Sequence, residues 1–208
     1  MFGVVMIVYI LGALAAYLIG SINTAFFLSK VLKKDLRSGG SGNLGASNTT
    51  LLLGWKWGVF VGVCDILKGF AVVFISRMFF KDYAYLPYIC ASMAIIGHIF
   101  PFYLKFQGGK GFATLCGCIL GYNWIVFIIA AVLIAVITFA TDYIVLATLT
   151  MIISFPVYVG ITTHNIIYPL ILAVGSIVIF IKHIPNYKRI IKKEEIGIRS
   201  SFTKKHRI

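Results

Sequence analysis

Residues 4–28 read VVMIVYILGALAAYLIGSINTAFFL, and no charged residue occurs before Lys30. A helix of about 20 apolar residues is long enough to cross the hydrocarbon core of a bilayer. A cleaved signal peptide normally begins with a basic region, which is missing here, so we expect this first span to be retained. Across all 208 residues, 60% are apolar and 12% are charged, against about 25% charged residues in soluble domains. The composition therefore predicts a polytopic membrane protein.

Apolar stretches of similar length recur along the whole chain. The expected spans are residues 4–28, 51–80, a third stretch that ends near Pro101, and then 112–121, 124–140, 143–160 and 166–181. Residues 112–121 are too few to cross a bilayer alone, so we expect a short or broken helix there. The sequence thus predicts an all-α, polytopic membrane protein with about seven transmembrane helices. Residues 1–208 are expected to form a single integral-membrane domain.

The distribution of cations indicates how these spans are oriented. Of the 19 lysines and arginines, only Arg77 and Lys81 fall on one side of a seven-span arrangement, and Lys56 and Lys68 lie within the second span. The other side carries Lys30, Lys33, Lys34, Arg37, Lys105, Lys110, Lys182, Lys188, Arg189, Lys192, Lys193, Arg199, Lys204, Lys205 and Arg207. Cytoplasmic loops are enriched in lysine and arginine. We therefore expect the N-terminus outside and the C-terminus in the cytoplasm; a six-span arrangement would separate the tail from the first basic loop.

The net charge of +13 does not require a nucleic-acid partner, because basic residues beside a membrane attract anionic lipid headgroups at about 1 kcal/mol each. The cysteines do not indicate a metal site. All four lie in apolar stretches, and Cys116 and Cys118 would point to different faces of a helix with no histidine beside them. We expect no metal and no cofactor.

Residues 37–50, between the first two expected spans, read RSGGSGNLGASNTT. Glycine permits positive φ, so successive backbone N–H groups can converge into an anion-binding nest. Serine and asparagine side chains add further donors, and the following helix presents its N-terminus, which also favours an anion. A flexible cytosolic linker is the alternative interpretation. A Walker loop is excluded, because no Gly-Lys-Ser/Thr follows the glycines.

Two further donor-rich segments are expected at the same cytoplasmic face. Residues 97–114 read GHIFPFYLKFQGGKGFAT, where glycines flank Lys110, and residues 182–189 read KHIPNYKR. His183 and Asn186 are three residues apart, so on a helix they share a face. His98 and His183 could each instead be interfacial histidines that the backbone satisfies. Taken together, three donor-rich segments with almost no carboxylates indicate an anionic substrate at the membrane surface.

These segments resemble the signatures of a known family. Residues 41–48, SGNLGASN, are similar to the SGNxGATN signature of the bacterial acyl-phosphate:glycerol-3-phosphate acyltransferases, the PlsY family. Residues 97–114 look like that family's second motif, and residues 182–195, KHIPNYKRIIKKEE, resemble its third, RHxxNIxR…E. Residues 65–69, DILKG, match its DxxKG element. The resemblance covers essentially the whole chain, in order.

The resemblance implies an enzyme that transfers a fatty acyl group from acyl phosphate to the 1-hydroxyl of glycerol 3-phosphate, giving lysophosphatidic acid and phosphate. It implies catalytic roles for Ser41, His183 and Asn186. Substrate binding would fall to Gly42, Asn43, Gly45, Ser47, Asn48, His98, Gly108, Gly109, Lys110 and Arg189. We expect a monomer in the cell membrane, with its active site facing the cytoplasm and surrounded by membrane lipids.

One observation supports an acyl-phosphate donor independently of the resemblance. Another large family of glycerolipid acyltransferases uses a histidine followed five residues later by an aspartate. In this chain no aspartate stands five residues after any of the first three histidines; the residues there are Tyr103, Pro169 and Lys188. The fourth, His206, is too close to the end of the chain. An activated donor whose leaving phosphate accepts a proton is chemically reasonable where no protein base is evident.

Three positions depart from the family pattern. Leu51 and Gln107 stand where the family usually has arginine and lysine, and Val145 stands where it usually has serine. These changes leave the donor site nearly intact and put the acceptor in question. Leu51 directly follows the glycine-rich loop at the start of the second span, so we expect it close to where an acceptor phosphate would enter. Two alternatives to an active enzyme therefore remain: a membrane binder or transporter of small phosphate-bearing anions, and a paralogue with a changed acceptor or low activity. Asp65 and Lys68 within a span fit a transporter, or they form a structural ion pair.

Overall fold

The computed structural model describes residues 2–199, and no β-strand occurs in that range. The helices are α1 (Phe2–Ser21), α2 (Thr24–Val31), α3 (Ala46–Leu53), α4 (Trp55–Phe79), α5 (Leu86–Ile99), α6 (Phe112–Tyr122), α7 (Trp124–Thr141), α8 (Ile144–Thr163) and α9 (Ile167–Ile191), with a 3₁₀ turn at Phe102–Leu104. Six stretches in the described part are long and apolar enough to cross a membrane. The all-α, polytopic membrane class that the sequence predicted is confirmed.

Helix α6 is the short fourth helix. Its 11 residues rise about 16 Å, whereas the hydrocarbon core is about 30 Å thick. The helix packs closely on α4, because a Cβ atom added at Gly117 would collide with the backbone of Ile66, and one at Gly121 with that of Phe70. Small residues of this kind let membrane helices approach closely. The contacts also show that α4 and α6 run in the same direction; that α6 completes a seventh crossing remains a prediction.

The first expected span, residues 4–28, corresponds to one membrane-length stretch, Gly3–Val31, but this stretch is divided into two helices, a break that was not predicted. Helix α1 ends at Ser21, and Asn23 starts α2 by accepting a hydrogen bond from Phe26 N at 2.8 Å. The hydroxyl of Tyr103 bridges the break, since it donates to Ser21 O at 2.7 Å and accepts from Asn23 N at 3.1 Å. A distant tyrosine therefore satisfies the backbone groups that the break leaves open.

The second expected span also begins later than residue 51. Residues 51–53 belong to α3, and Gly54, with φ of 89°, separates this short helix from α4. A positive φ of this size is open to glycine and costly for other residues. Helix α3 is therefore a separate short helix between the glycine-rich loop that ends at Gly45 and the membrane-crossing helix α4.

The third correction concerns the end of α9, which was expected near residue 181 but runs to Ile191. The basic residues that mark the end of the apolar span do not end the helix, because Lys188 and Arg189 are favourable in a last helical turn. The motif of residues 182–189 is consequently helical, so His183 and Asn186 do lie on one face.

Two apolar clusters hold the structure together. The larger one lies in the bundle centre and includes Ala94, Ile95, Met151 and Ile179. The smaller one lies at the end where α1 stops, and it contains Leu28, Leu36, Leu44, Val61 and Leu104. Leu36 and Leu44 are each 1% exposed, so the loop after α2 is anchored in this smaller cluster at both of its ends.

The predicted orientation can be tested by cysteine labelling. Cysteines placed at residues 37–50 or after Lys182 should react with a membrane-impermeant reagent only from the cytoplasmic side, and one at Asp82 only from outside. The background should be low, since Cys90, Cys116 and Cys118 are buried. Labelling of the 37–50 loop and the tail from opposite sides would refute the seven-span arrangement.

Candidate active site

The loop that precedes α3 is shaped by Asn48, in the first turn of that helix. The side chain of Asn48 accepts a hydrogen bond from Ser41 N at 2.8 Å and donates one to Leu36 O at 2.7 Å. It is 1% exposed, and a Cβ atom at Gly40 would collide with its Oδ1. We call residues 37–45 the anion loop. Asn48 therefore holds the backbone of the anion loop and does not face outward, as a ligand of substrate would.

The same contacts leave fewer backbone N–H groups free to bind an anion than the sequence predicted. Ser41 N is used by Asn48, and Gly42 N donates to Gly39 O at 3.0 Å. A second asparagine braces the other end of the loop, because Asn23 Nδ2 donates to Leu44 O at 3.1 Å. Side chains of the anion loop, more than these two N–H groups, are thus available to a ligand.

The second segment, residues 107–111, forms a glycine loop that caps α5. Gly108 N donates to Ile99 O at 3.0 Å, and Gly109 N donates to His98 O at 3.1 Å. These bonds satisfy carbonyl groups that a helix C-terminus leaves open. They also fix the position of the next residue, Lys110, over the end of the bundle.

The third segment, the last turns of α9, meets the glycine loop through Lys110. Lys110 Nζ donates to Asn186 Oδ1 at 2.5 Å, and Asn186 Nδ2 donates to Glu195 Oε1 at 2.6 Å. Glu195 also pairs with Arg189, with 2.6 Å between Oε2 and Nε. A continuous network of four polar side chains thus joins two segments that are distant in sequence.

The environment of Lys110 lowers its pKa. Burial is the largest cause, the positive charges of Arg189 and Lys182 act in the same direction, and Glu195 opposes them. An anion bound beside Lys110 would favour its charged form. The site therefore gains from a negatively charged ligand.

His183 lies one helical turn before this network and is 6% exposed. Its Nδ1 is 2.9 Å from Ile179 O. Because a carbonyl oxygen can only accept, this bond assigns the proton to Nδ1 and leaves the lone pair of the neutral imidazole on Nε2. His183 is thus held by backbone, as the alternative interpretation had it, and still has one nitrogen able to accept a proton.

A cavity of about 350 Å³ lies where the three segments meet. We call it the cationic cavity. It is lined by Arg37, Ser41, Gly42, Asn43, Gln107, Gly108, Lys110, Lys182, Pro185 and Arg189. Four of these side chains are cationic and none is acidic. The three segments that the sequence placed at one face therefore do converge on a single site.

The predicted site residues separate into those that line the cationic cavity and those that do not. The lining includes Ser41, Gly42, Asn43, Gly108, Lys110 and Arg189. Buried outside the lining are Gly45, Asn48, His98, Gly109, His183 and Asn186, while Ser47 is exposed outside it. Sequence reasoning did not assign Arg37 and Lys182 to the site. The available signal was that Arg37 is the first residue of the segment 37–50 and Lys182 the first residue of the third motif.

Of the three departures from the family pattern, only Gln107 lines the cationic cavity. Leu51 is half-buried on α3 and Val145 is 3% exposed on α8. The expectation that Leu51 lies where an acceptor phosphate enters is thus not supported by the geometry. Residues 2–199 contain no group of three or more histidine, cysteine or acidic side chains able to hold a metal ion.

Six membrane-length apolar stretches and a cationic cavity at one end of the helical bundle define an integral membrane protein with a positively charged site. The comparisons with known proteins define the family. Residues 10–193 match the profile of the glycerol-3-phosphate acyltransferase family. The chain belongs to this family, and it is an acyltransferase of phospholipid synthesis.

Relatives and solved structures agree with this assignment. Glycerol-3-phosphate acyltransferase 1 of Oceanobacillus iheyensis is 38% identical, over 95% of this chain and 98% of its own length. The enzyme of Macrococcus caseolyticus is 41% identical, over 89% and 95%. PlsY, an integral membrane glycerol 3-phosphate acyltransferase, superposes in its glycerol 3-phosphate form with a TM-score of 0.85 and 29% identity, over 91% of this chain and 95% of that one. Its lysophosphatidic acid form gives 0.83.

The role of Asn48 leads to a prediction. Asn48→Ala should lower the melting temperature and weaken binding of inorganic phosphate about tenfold, because Ser41 N and Leu36 O lose their buried partner at about 1–3 kcal/mol each. Calorimetry and thermal unfolding measure the two effects. Asn165→Ala, which removes a half-buried asparagine at the opposite end of the bundle, is the matched control. Unchanged phosphate affinity in Asn48→Ala would show that the anion loop does not need this brace.

Proposed function

We propose that this chain transfers a fatty acyl group from acyl phosphate to the 1-hydroxyl of glycerol 3-phosphate, releasing lysophosphatidic acid and phosphate. One observation carries the proposal: the cationic cavity has four cationic lining residues, no acidic one, and a volume of about 350 Å³. Both substrates bear a phosphate, and arginine and lysine bind phosphate oxygens through charge-assisted hydrogen bonds. The names of the relatives support glycerol 3-phosphate as the acceptor.

The two phosphates require positive charge on more than one wall of the cavity, and the cationic side chains are arranged in that way. Arg37 belongs to the anion loop, Lys110 to the glycine loop, and Lys182 and Arg189 to α9. Ser41 and Asn43 add neutral donors from the anion loop. We assign the acyl phosphate to the anion loop, where its leaving oxygens would be stabilised as charge develops, and the phosphate of glycerol 3-phosphate to Lys110 and the cations of α9.

The reaction balances without a metal or cofactor. The 1-hydroxyl oxygen attacks the acyl carbon, the bond from that carbon to the phosphate oxygen breaks, and the hydroxyl proton passes to the leaving phosphate. We propose that His183 Nε2 accepts a hydrogen bond from this hydroxyl and orients it, since Nδ1 is held by Ile179 O. Asn186 acts through Lys110, because its Oδ1 accepts from Nζ and fixes the direction of the ammonium group.

The setting of the enzyme follows from the same features. We propose that the cationic cavity faces the cytoplasm at the cell membrane, where the surrounding lysines meet anionic headgroups. We propose that the enzyme is a monomer formed by a single integral-membrane domain. No nucleic acid is involved.

The transporter alternative receives little support. Asp65 and Lys68 form an i,i+3 ion pair with 2.9 Å between Oδ1 and Nζ, and their side chains are 3% and 7% exposed. Lys68 also donates to Ile22 O at 2.8 Å. A pair engaged in this way leaves no open charge for a passing ion, as the structural interpretation of these two residues expected.

The proposal is tested with purified protein in detergent or liposomes. Given acyl phosphate and glycerol 3-phosphate, it should form lysophosphatidic acid and release one phosphate for each acyl group transferred, and Lys110→Met should cut turnover by about 10²–10³. Phosphate release with an uncharged alcohol but none with glycerol 3-phosphate would indicate a paralogue with a changed acceptor. No transfer to either acceptor would overturn the proposed function.

The position of Gln107 leads to a second prediction for this site. Gln107→Lys should lower the KM for glycerol 3-phosphate about tenfold and leave that for acyl phosphate nearly unchanged, because a charge-assisted bond contributes about 1.5–3 kcal/mol. Gln107→Met controls for the loss of the amide. Leu51→Arg, outside the cavity lining, should have a smaller effect. A larger effect of Leu51→Arg than of Gln107→Lys would show that the acceptor enters beside α3.

A further inference from the structure

Three buried ionisable side chains lie beneath the glycine loop, outside the cationic cavity. Asp65 and Lys68 come from α4 and His98 from the last turn of α5, and they are 2%, 8% and 3% exposed. None of them lines the cavity. We call them the buried triad.

Lys68 is the centre of the buried triad. Its Nζ lies 2.8 Å from Ile22 O, 2.8 Å from His98 Nδ1 and 2.9 Å from Asp65 Oδ1. An ammonium group has three donors and no acceptor; Ile22 O and His98 Nδ1 are its hydrogen-bond partners, and Asp65 is its ion-pair partner. Lys68 thus ties the chain after α1 to α4 and α5, at the point where the bundle meets the loops.

The same contacts determine the state of His98. Since Lys68 donates to Nδ1, that nitrogen carries the lone pair, and the neutral imidazole carries its proton on Nε2. Asp65 Oδ1 is 3.5 Å from the same Nδ1, and the ammonium group lies within bonding distance of both. The ring is therefore held in one orientation and one tautomer.

The outer edge of the His98 ring supports the glycine loop. A Cβ atom at Gly109 would collide with Nε2, Cε1 and Cδ2 of the imidazole, so the loop backbone lies directly on the ring. Gly109 N also donates to His98 O at 3.1 Å. Lys110 follows immediately, and its Nζ reaches Asn186 in the cavity wall. The position of the ring therefore sets the position of the loop that carries Lys110.

Stability alone does not account for such a group of charges. A buried ion pair often contributes no more to folding than well-packed apolar residues of similar volume, because its desolvation cost offsets the attraction. Fixed geometry is what the charges add here: Lys68 Nζ makes three contacts, and one of them holds the imidazole on which the glycine loop lies.

We propose that the buried triad is a positioning device for Lys110: Asp65 and Lys68 hold the His98 ring, and the ring sets the glycine loop so that Lys110 meets the substrate phosphate. This inference rests on the proposed function only in giving Lys110 a phosphate to bind. His98 is then a positioning residue and does not contact substrate.

The test removes both charges of the pair together, since Lys68→Met alone would leave a buried carboxylate without a partner. Asp65→Asn/Lys68→Met should fold, yet lower kcat/KM for glycerol 3-phosphate and the affinity for inorganic phosphate by about tenfold or more, the effect of misplacing a binding group by a fraction of an ångström to 1 Å. His98→Gln and Gly109→Ala should change both quantities in the same direction.

Ser92→Ala is the matched control for lost stability. Ser92 lies on α5 like His98, is 4% exposed, and donates to Ile171 O of α9 at 2.7 Å. Its loss should lower the melting temperature without changing phosphate affinity or kcat/KM. Equal kinetic losses in Ser92→Ala and in the triad variants at matched melting temperatures would overturn the proposal.

A double-mutant cycle distinguishes a positioning role from a merely structural one, because only a positioning role couples the triad to Lys110. If the triad acts through Lys110, then Asp65→Asn/Lys68→Met should cause no further loss of phosphate affinity in a Lys110→Met background. Additive losses would overturn the proposal. If the unmodified protein binds phosphate but transfers no acyl group, the proposed function is refuted, and the double-mutant cycle can still be measured by phosphate affinity. Unmodified protein that binds no phosphate would refute the inference itself.

Discussion

The hydrogen bond from Lys110 Nζ to Asn186 Oδ1, at 2.5 Å, joins residues that are 76 positions apart, and the cationic cavity depends on it. It links the glycine loop to the end of α9, on which Gly111 also packs at Ile179. Asn186 is itself fixed by Glu195, which also holds Arg189. One amide therefore connects two of the four cations that line the cavity, and it sets the distance between two of its walls.

The charge of the cavity is the second constraint. Arg37, Lys110, Lys182 and Arg189 share one lining, and of these Arg189 pairs with Glu195 while Arg37 makes an exposed contact of 3.3 Å with Asp35. Like charges in a partly buried site raise its electrostatic free energy, and a phosphate lowers it. The mutual repulsion of the four cations, which raises the free energy of the empty cavity, therefore also favours the binding of phosphate-bearing molecules. The rigid supports beneath the loops, Asn48 and the buried triad, keep the cations in place against their mutual repulsion.

Much of the fold and the grouping of the site followed from the sequence. Apolar length predicted the helices, and the excess of cations at one face predicted that the anion loop, the glycine loop and residues 182–189 would meet. Side-chain direction could not be predicted in the same way. Asn48 has the donors of a ligand-binding residue, but its orientation depends on Leu36 O, a tertiary partner that no local pattern reveals. The break after Ser21 depends in the same way on Tyr103, about 80 residues distant in sequence. Leu51 was placed near the acceptor because α3 was taken as part of the second span, and the turn at Gly54 separates the two.

A crystal structure of this protein with bound glycerol 3-phosphate tests the central claim most directly. We expect the phosphate within hydrogen-bond distance of Lys110 Nζ and of at least one of Arg37, Lys182 and Arg189, with the 1-hydroxyl directed toward His183 Nε2. The Lys110–Asn186 contact should persist in that complex. A phosphate bound outside the cationic cavity, or bound there without any contact to Lys110, would contradict the account.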